Sequence, residues 1–115
     1  MSIRAEKVAS EVKKFLVSPI SDLASEHSAG LATITAVRLS KDLQIAKVYL
    51  SVYGGKISPP KFIEVLEENN KQIRYHIAAK LRLRRVPELR FFLDDTLNEM
   101  EHIQKLIDSI KSEQQ

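Results

Sequence analysis

Between residues 3 and 17 the apolar positions Ala5, Val8, Ala9, Val12, Phe15 and Leu16 fall three or four apart, so they share one helix face. Ser2 stands where an N-cap belongs, and Lys7, Lys13 and Lys14 fall off the apolar face. Ser18-Pro19 predicts the end of that helix, with a polar loop running on to Gly30. The apolar pattern then changes. LATITAVRLS (31–40) is rich in β-branched residues, and QIAKVYLSV (44–52) alternates. Ala46, Val48, Leu50 and Val52 take one face of the second run; Lys47, Tyr49 and Ser51 take the other. Only Lys41-Asp42-Leu43 separates the runs, which predicts an antiparallel hairpin with one buried and one solvated face.

Tyr53-Gly54-Gly55 ends the second strand. The glycines read as a plain turn, because nothing of the form GxxxxGK[ST] accompanies them. Ser58-Pro59-Pro60 opens a helix over 60–68 carrying Phe62, Ile63, Val65 and Leu66. The apolar pattern lapses at Glu67–Lys71 and resumes at Ile73, Ile77, Ala78 and Leu81, which predicts a second helix over 71–84. A bend at Asn69-Asn70 suits asparagine, which tolerates helix ends and left-handed angles. One continuous helix is the alternative. Pro87 stops the helix, and ELRFFLD (88–94) makes a third strand, with Leu89, Phe91 and Leu93 opposite Arg90 and Phe92. Thr96-Leu97-Asn98-Glu99 has the form of a capping box and opens a C-terminal helix over 96–112. Its stripe is Leu97, Met100, Ile103, Leu106, Ile107 and Ile110, with a frayed tail at 113–115. The order is α-β-β-α-α-β plus a terminal helix, an α+β domain with a three-stranded sheet spanning 1–115.

Composition narrows the function classes. With 43% hydrophobic and 29% charged residues in 115, the chain can bury one core without staples. It has no cysteine, which removes disulfides, thiolate metal sites and a thiol nucleophile. The charged opening MSIRAEKVASEVKKFL is not a signal peptide, and no apolar run approaches the roughly 20 residues that span a bilayer. Net charge is only +3, but residues 71–90 hold seven bases (Lys71, Arg74, Lys80, Arg82, Arg84, Arg85 and Arg90) against one acid, Glu88. That stretch carries +6, and the rest of the chain −3. A concentrated patch on a near-neutral body is an electrostatic footprint. Charge alone leaves two readings open: a grip on phosphates, or solvated arginines that complement a helix C-terminus.

Other constellations are weak. His27, His76 and His102 have no metal-ligand spacing, and no cofactor motif occurs. Asp94 and Asp95 at a strand-to-helix junction read as capping rather than as an acid/base pair. No nucleophile elbow is present, so no catalytic residue is assigned. Tyr49 and Tyr53 share a strand face and could stack on bases, though sheet surfaces commonly carry tyrosine. A protein-interaction module that docks through the C-terminal helix is the alternative to nucleic-acid binding.

The element order resembles a type II KH domain. Within it, ATITAVRLSKDLQIAKVYLSV (32–52) resembles the strand–turn–strand core of the ribosome-binding factor A family. IRYHIAAKLRLRRVPELRFFLDDTL (73–97) resembles that family's second signature, and IRAEKVASEVKKFL (3–16) its opening helix. The resemblance implies a non-enzymatic cytoplasmic factor, a monomer without cofactor. It would bind the small ribosomal subunit, assist late maturation of its rRNA, matter most in the cold, and meet a partner GTPase. The family lacks the GxxG loop of true KH domains and carries an Ala-x-Gly kink between its central helices. Asn69-Asn70-Lys71 stand at the matching positions here, a departure. Without GxxG, side chains rather than loop backbone must meet the RNA. The expected contacts are Lys71, Arg74, Lys80, Arg82, Arg84, Arg85 and Arg90.

Overall fold

A computed structural model of the chain describes residues 3–81 and 85–94. They form α1 (Ile3–Glu26), β1 (Gly30–Leu39), β2 (Ile45–Gly54), α2 (Pro59–Glu68), α3 (Asn70–Ala78) and β3 (Glu88–Leu93). The Ser2 cap, the Thr96–Glu99 capping box and the C-terminal helix predicted over 96–112 lie outside the described residues.

The first helix corrects an expectation. It does not stop at Ser18-Pro19 but continues to Glu26 with Pro19 inside it. The cause is the apolar stripe. Val8, Val12, Leu16, Ile20 and Ala24 follow one another at four-residue spacing, and all are buried. Two of them lie beyond the proline, and their packing outweighs one missing backbone bond. The helix closes with a Schellman motif. The Ala29 N–H donates to the Ala24 carbonyl (2.8 Å) and the Ser28 N–H to the Ser25 carbonyl (3.3 Å). Ser28 holds the left-handed position at φ 54°, where glycine is usual. Ala24 and Ala29, the apolar pair of the motif, are both buried.

β1 and β2 pair antiparallel as predicted, and β3 joins β2 in parallel, giving a mixed sheet in the order β1-β2-β3. Parallel pairing demands a crossover, and α2 and α3 supply it. One irregularity was not predicted: the register slips between Ile34 and Ala36, so Thr35 is a bulge. At the far end Gly30 pairs with Gly54, both at positive φ, and a Cβ on Gly30 would lie 2.3 Å from the Tyr53 carbonyl oxygen. No other residue type fits there.

Ser58 caps α2, accepting from the Lys61 N–H at 3.3 Å. The break after it falls at Asn69, as the bend reading predicted, with φ −102° and ψ 10°. No positive φ occurs at 69–71, so Lys71 is under no strain inside α3. Both asparagines act through their side chains. Asn69 Nδ2 donates to the Val65 carbonyl (2.8 Å), and Asn70 Nδ2 donates to Glu67 Oε2 (3.2 Å) and to the Leu89 carbonyl (2.9 Å). Glu67 Oε1 accepts from the Phe91 N–H (3.2 Å). Side chains at the kink thus occupy the outer edge of β3, which would otherwise present unpaired backbone. α3 is shorter than the predicted 71–84 and ends at Ala78. After Ile77 the chain makes a tight turn, with the Lys80 and Leu81 N–H groups both on the Ile77 carbonyl (3.1 and 2.7 Å). The next position on that stripe is Arg85, so nothing apolar holds another turn.

The core lies between the helices and one sheet face. Val12, Leu16, Phe62, Leu66 and Ile77 meet Ala46, Val48, Leu50, Leu89 and Phe91, all buried. Among the described residues no polar or charged residue is fully buried. Among the described residues helices cover one face only, and this is the type II KH-like α+β arrangement predicted from the element order.

Candidate nucleic-acid interface

The basic stretch is not one continuous patch. Arg74 projects from α3 and is half-buried; its Nη2 donates to the Val86 carbonyl at 3.1 Å. Its Nε is buried without a hydrogen-bond partner among the described residues. Arg85, exposed, lies on the turn before β3. The two arginines share a surface groove of about 380 Å³ with Arg4 from the start of α1. Asp42, on the β1–β2 turn, and Glu88 also line it, so three guanidiniums face two carboxylates. The Ser40 hydroxyl (2.6 Å) and the Gln44 N–H (3.2 Å) donate to Asp42 Oδ1, and these bonds hold its carboxyl below the ordinary value of 3.8. The groove therefore stays mixed in charge at neutral pH, with an excess of one positive group.

Other members are dispersed. Lys71 sits exposed on the first turn of α3, whereas Lys80 lies in the tight turn beyond the helix's other end. Lys80 reaches back to α1, its Nζ 5.9 Å from the centre of the Phe15 ring, where the Lys14 Nζ also lies at 5.8 Å. Arg90 stands on the open sheet face, its Nη2 3.5 Å from Oε2 of Glu88, which also lines the groove of Arg4, Arg74 and Arg85. Arg82 and Arg84 lie outside the described residues.

Three basic residues near these positions were missing from the expected set. Arg4 belongs to the opening helix, far away in sequence. Arg38 and Lys47 stand beside Arg90, because the register pairs Arg38 with Lys47 and Lys47 with Arg90. Counting outward from the Lys41-Asp42-Leu43 turn would set Arg38 opposite Ala46; the actual connection is one residue longer, pairing Leu39 with Ala46, and this brings Arg38 opposite Lys47. Tyr49 and Tyr53 share that open face, and Tyr49 stacks on Phe92 with ring centres 5.6 Å apart.

His27 is exposed, His76 is half-buried, and His102 lies outside the described residues. Among the described residues no three of His, Cys, Asp and Glu gather so as to hold a metal ion. Asp94 accepts from the bulged Thr35 hydroxyl; Asp95 and the helix these two were read as capping lie outside the described residues. Among the described residues no helix is long and apolar enough to cross a membrane.

The chain matches the family described as Ribosome-binding factor A over residues 4–107. It is 40% identical over 113 residues to Ribosome-binding factor A of Chlorobaculum tepidum, covering 96% of this chain and 93% of that protein. The crystal structure of ribosome-binding factor A from Thermus thermophilus superposes with a TM-score of 0.69 at 26% identity, covering 77% of this chain and 93% of that one. The Thermus thermophilus factor as fitted into an electron-microscopy map of a 30S complex gives a TM-score of 0.63 at 27% identity, covering 75% and 90%.

Proposed function

Because this chain belongs to the ribosome-binding factor A family, we propose that it binds the small ribosomal subunit and assists late maturation of that subunit's rRNA. The observation that carries the reading is the arginine-lined groove of Arg4, Arg74 and Arg85, taken with the basic run Arg82-Leu83-Arg84-Arg85 of the sequence. The fitted 30S complex of the Thermus thermophilus relative supports it. The chain has no GxxG loop, so the grip is made by side chains. Guanidinium forks suit phosphate oxygens, and structured rRNA offers backbone and shape more than readable base edges.

In this reading the factor acts by binding and not by catalysis. It favours one rRNA arrangement only by its higher affinity for that arrangement. Lys71, Arg74, Lys80, Arg82, Arg84 and Arg85 contribute contacts around α3 and the turn after it, and Arg90 contributes from the sheet. The factor works in the cytoplasm as a monomer, and a GTPase acting on the maturing subunit assists its release. Cold raises the need for it, because misfolded rRNA escapes more slowly.

The test is co-sedimentation with purified small subunits, mature and immature. Wild type and a variant with Arg82, Arg84 and Arg85 all changed to Glu are compared, after circular dichroism confirms that both fold. The reading expects wild type on the subunit, with preference for the immature form, and the variant left behind. Equal binding of both proteins would mean that these arginines are not the grip.

A further inference from the structure

The uncovered sheet face is ordered in rungs. Arg38, Lys47 and Arg90 stand in one cross-strand row, one residue from each strand. The adjacent row is Ala36, Tyr49 and Phe92, and beyond it lie Thr33 with Ser51 and Leu31 with Tyr53. Neighbouring strands are about 4.8 Å apart, and rows on the same face roughly 6.8 Å. Three cations are thus lined up directly opposite one another, which destabilises a sheet. Among the described residues two carboxylates lie near them: Glu88, 3.5 Å from Arg90, and Asp94, which lines a pocket with Ala36, Arg38 and Tyr49. Folding does not explain such a row, whereas an anion laid across it would.

The neighbouring row narrows the anion. Tyr49 and Phe92 stack at 5.6 Å with their planes 28° apart, and Phe92 is 40% exposed. Tyr53, at 80%, continues the aromatic surface along β2. A groove of about 490 Å³ joins the two rows and is lined by Arg38, Lys47, Tyr49 and Arg90. An acidic protein surface would satisfy the cations and leave the rings without purpose. A single-stranded nucleic acid satisfies both, with phosphates on the cation row and an unpaired base against the rings one row away. Sheet surfaces with exposed aromatics take unstacked bases in this way.

We propose that the open sheet face is a second RNA surface, which takes an unpaired single-stranded segment with phosphates on Arg38, Lys47 and Arg90 and a base on the Tyr49–Phe92 pair. It rests on the reading that the partner is rRNA, and it adjoins the groove of Arg4, Arg74 and Arg85 at Glu88. Through it the factor holds an unpaired strand on the sheet while gripping structured RNA at the adjoining groove.

The experiment measures anisotropy of a labelled single-stranded RNA octamer, and of the same octamer in a duplex, with the 115-residue chain. Three variants are compared with wild type: Arg38→Gln/Lys47→Gln/Arg90→Gln, Tyr49→Leu/Phe92→Leu, and the milder Phe92→Leu in case the double change unfolds. Each is also co-sedimented with small subunits. The proposal expects tighter binding to the single strand than to the duplex. It expects a loss of roughly tenfold or more in the triple variant, with the salt slope reduced by about 2. The leucine variants lose up to roughly tenfold with the slope unchanged. Equal affinity for single strand and duplex, or variants that bind the octamer like wild type, overturns it. Wild-type sedimentation with subunits would then still stand as evidence for the proposed function. If variants leave the subunit yet keep the octamer, the face docks on protein, and the RNA proposal falls.

Discussion

Replacing Pro19 with Ala should stabilise the protein. Pro19 lies inside α1 and supplies no N–H to the preceding turn, and a proline in a helix interior costs about 3 kcal/mol. The helix continues because Ile20 and Ala24 beyond it are buried and Leu23 is half-buried. Burying one isoleucine side chain contributes about 1.5–3 kcal/mol, and the other two residues bring the sum to roughly 4 kcal/mol, enough to exceed that cost. Alanine restores the missing bond and removes the ring clash. Against this stand about 0.5–1 kcal/mol of greater unfolded-chain freedom and a similar penalty for the weaker packing of a methyl group where the half-buried ring stood. The net expectation is a gain of about 1–2 kcal/mol, or roughly 5 °C in Tm. Urea unfolding followed by circular dichroism measures it, with Ile20→Ala as the companion, expected to lose about 2–4 kcal/mol. A Pro19→Ala protein less stable than wild type would refute the reasoning. It would show that a proline bend, and not the apolar stripe alone, seats α1 on the sheet.

Three further expectations follow from particular bonds. Ser28→Gly removes the strain of a left-handed serine at the end of α1 and should raise stability by up to about 1 kcal/mol in the same urea assay. Asn70→Ala strips the donor from the Leu89 carbonyl on the edge of β3 and should cost about 1–2 kcal/mol, with faster amide exchange in β3. Asp42 should titrate below 3.8 by NMR. Its folded value is depressed, so its contribution to stability is complete above the unfolded value and is lost as pH falls from about 3.8 through the folded value. Asp42→Asn should remove that acid dependence.

The sheet was legible because its signals are local. Alternation in 44–52, a three-residue turn and a proline before 88–94 define strands with little help from the rest of the fold. Ser58 and Asn69 carried their helix boundaries in their own chemistry. The errors came where distant packing decided. Pro19 reads locally as a stop, yet Ile20 and Ala24 find the sheet and carry the helix past it. Arg82–Arg85 read as a helical continuation, yet the helix ends at Ala78, because the chain must turn to lay β3 parallel to β2. The basic site was half legible. A linear count gathers Arg74, Arg85 and Arg90, while the fold sets Arg90 on the open sheet face, beside Arg38 and Lys47. Arg4 joins Arg74 only through tertiary structure, which no window along the chain could show.

The measurement that bears most directly on the central claim is the affinity of the chain for immature small subunits as a function of salt. A grip that neutralises about four phosphates predicts that log affinity falls with log salt concentration at a slope near −3. It also predicts a shallower slope once Arg82, Arg84 and Arg85 are changed to Gln. Association that is insensitive to salt, or a slope unchanged by those substitutions, would contradict a charge-based hold on rRNA.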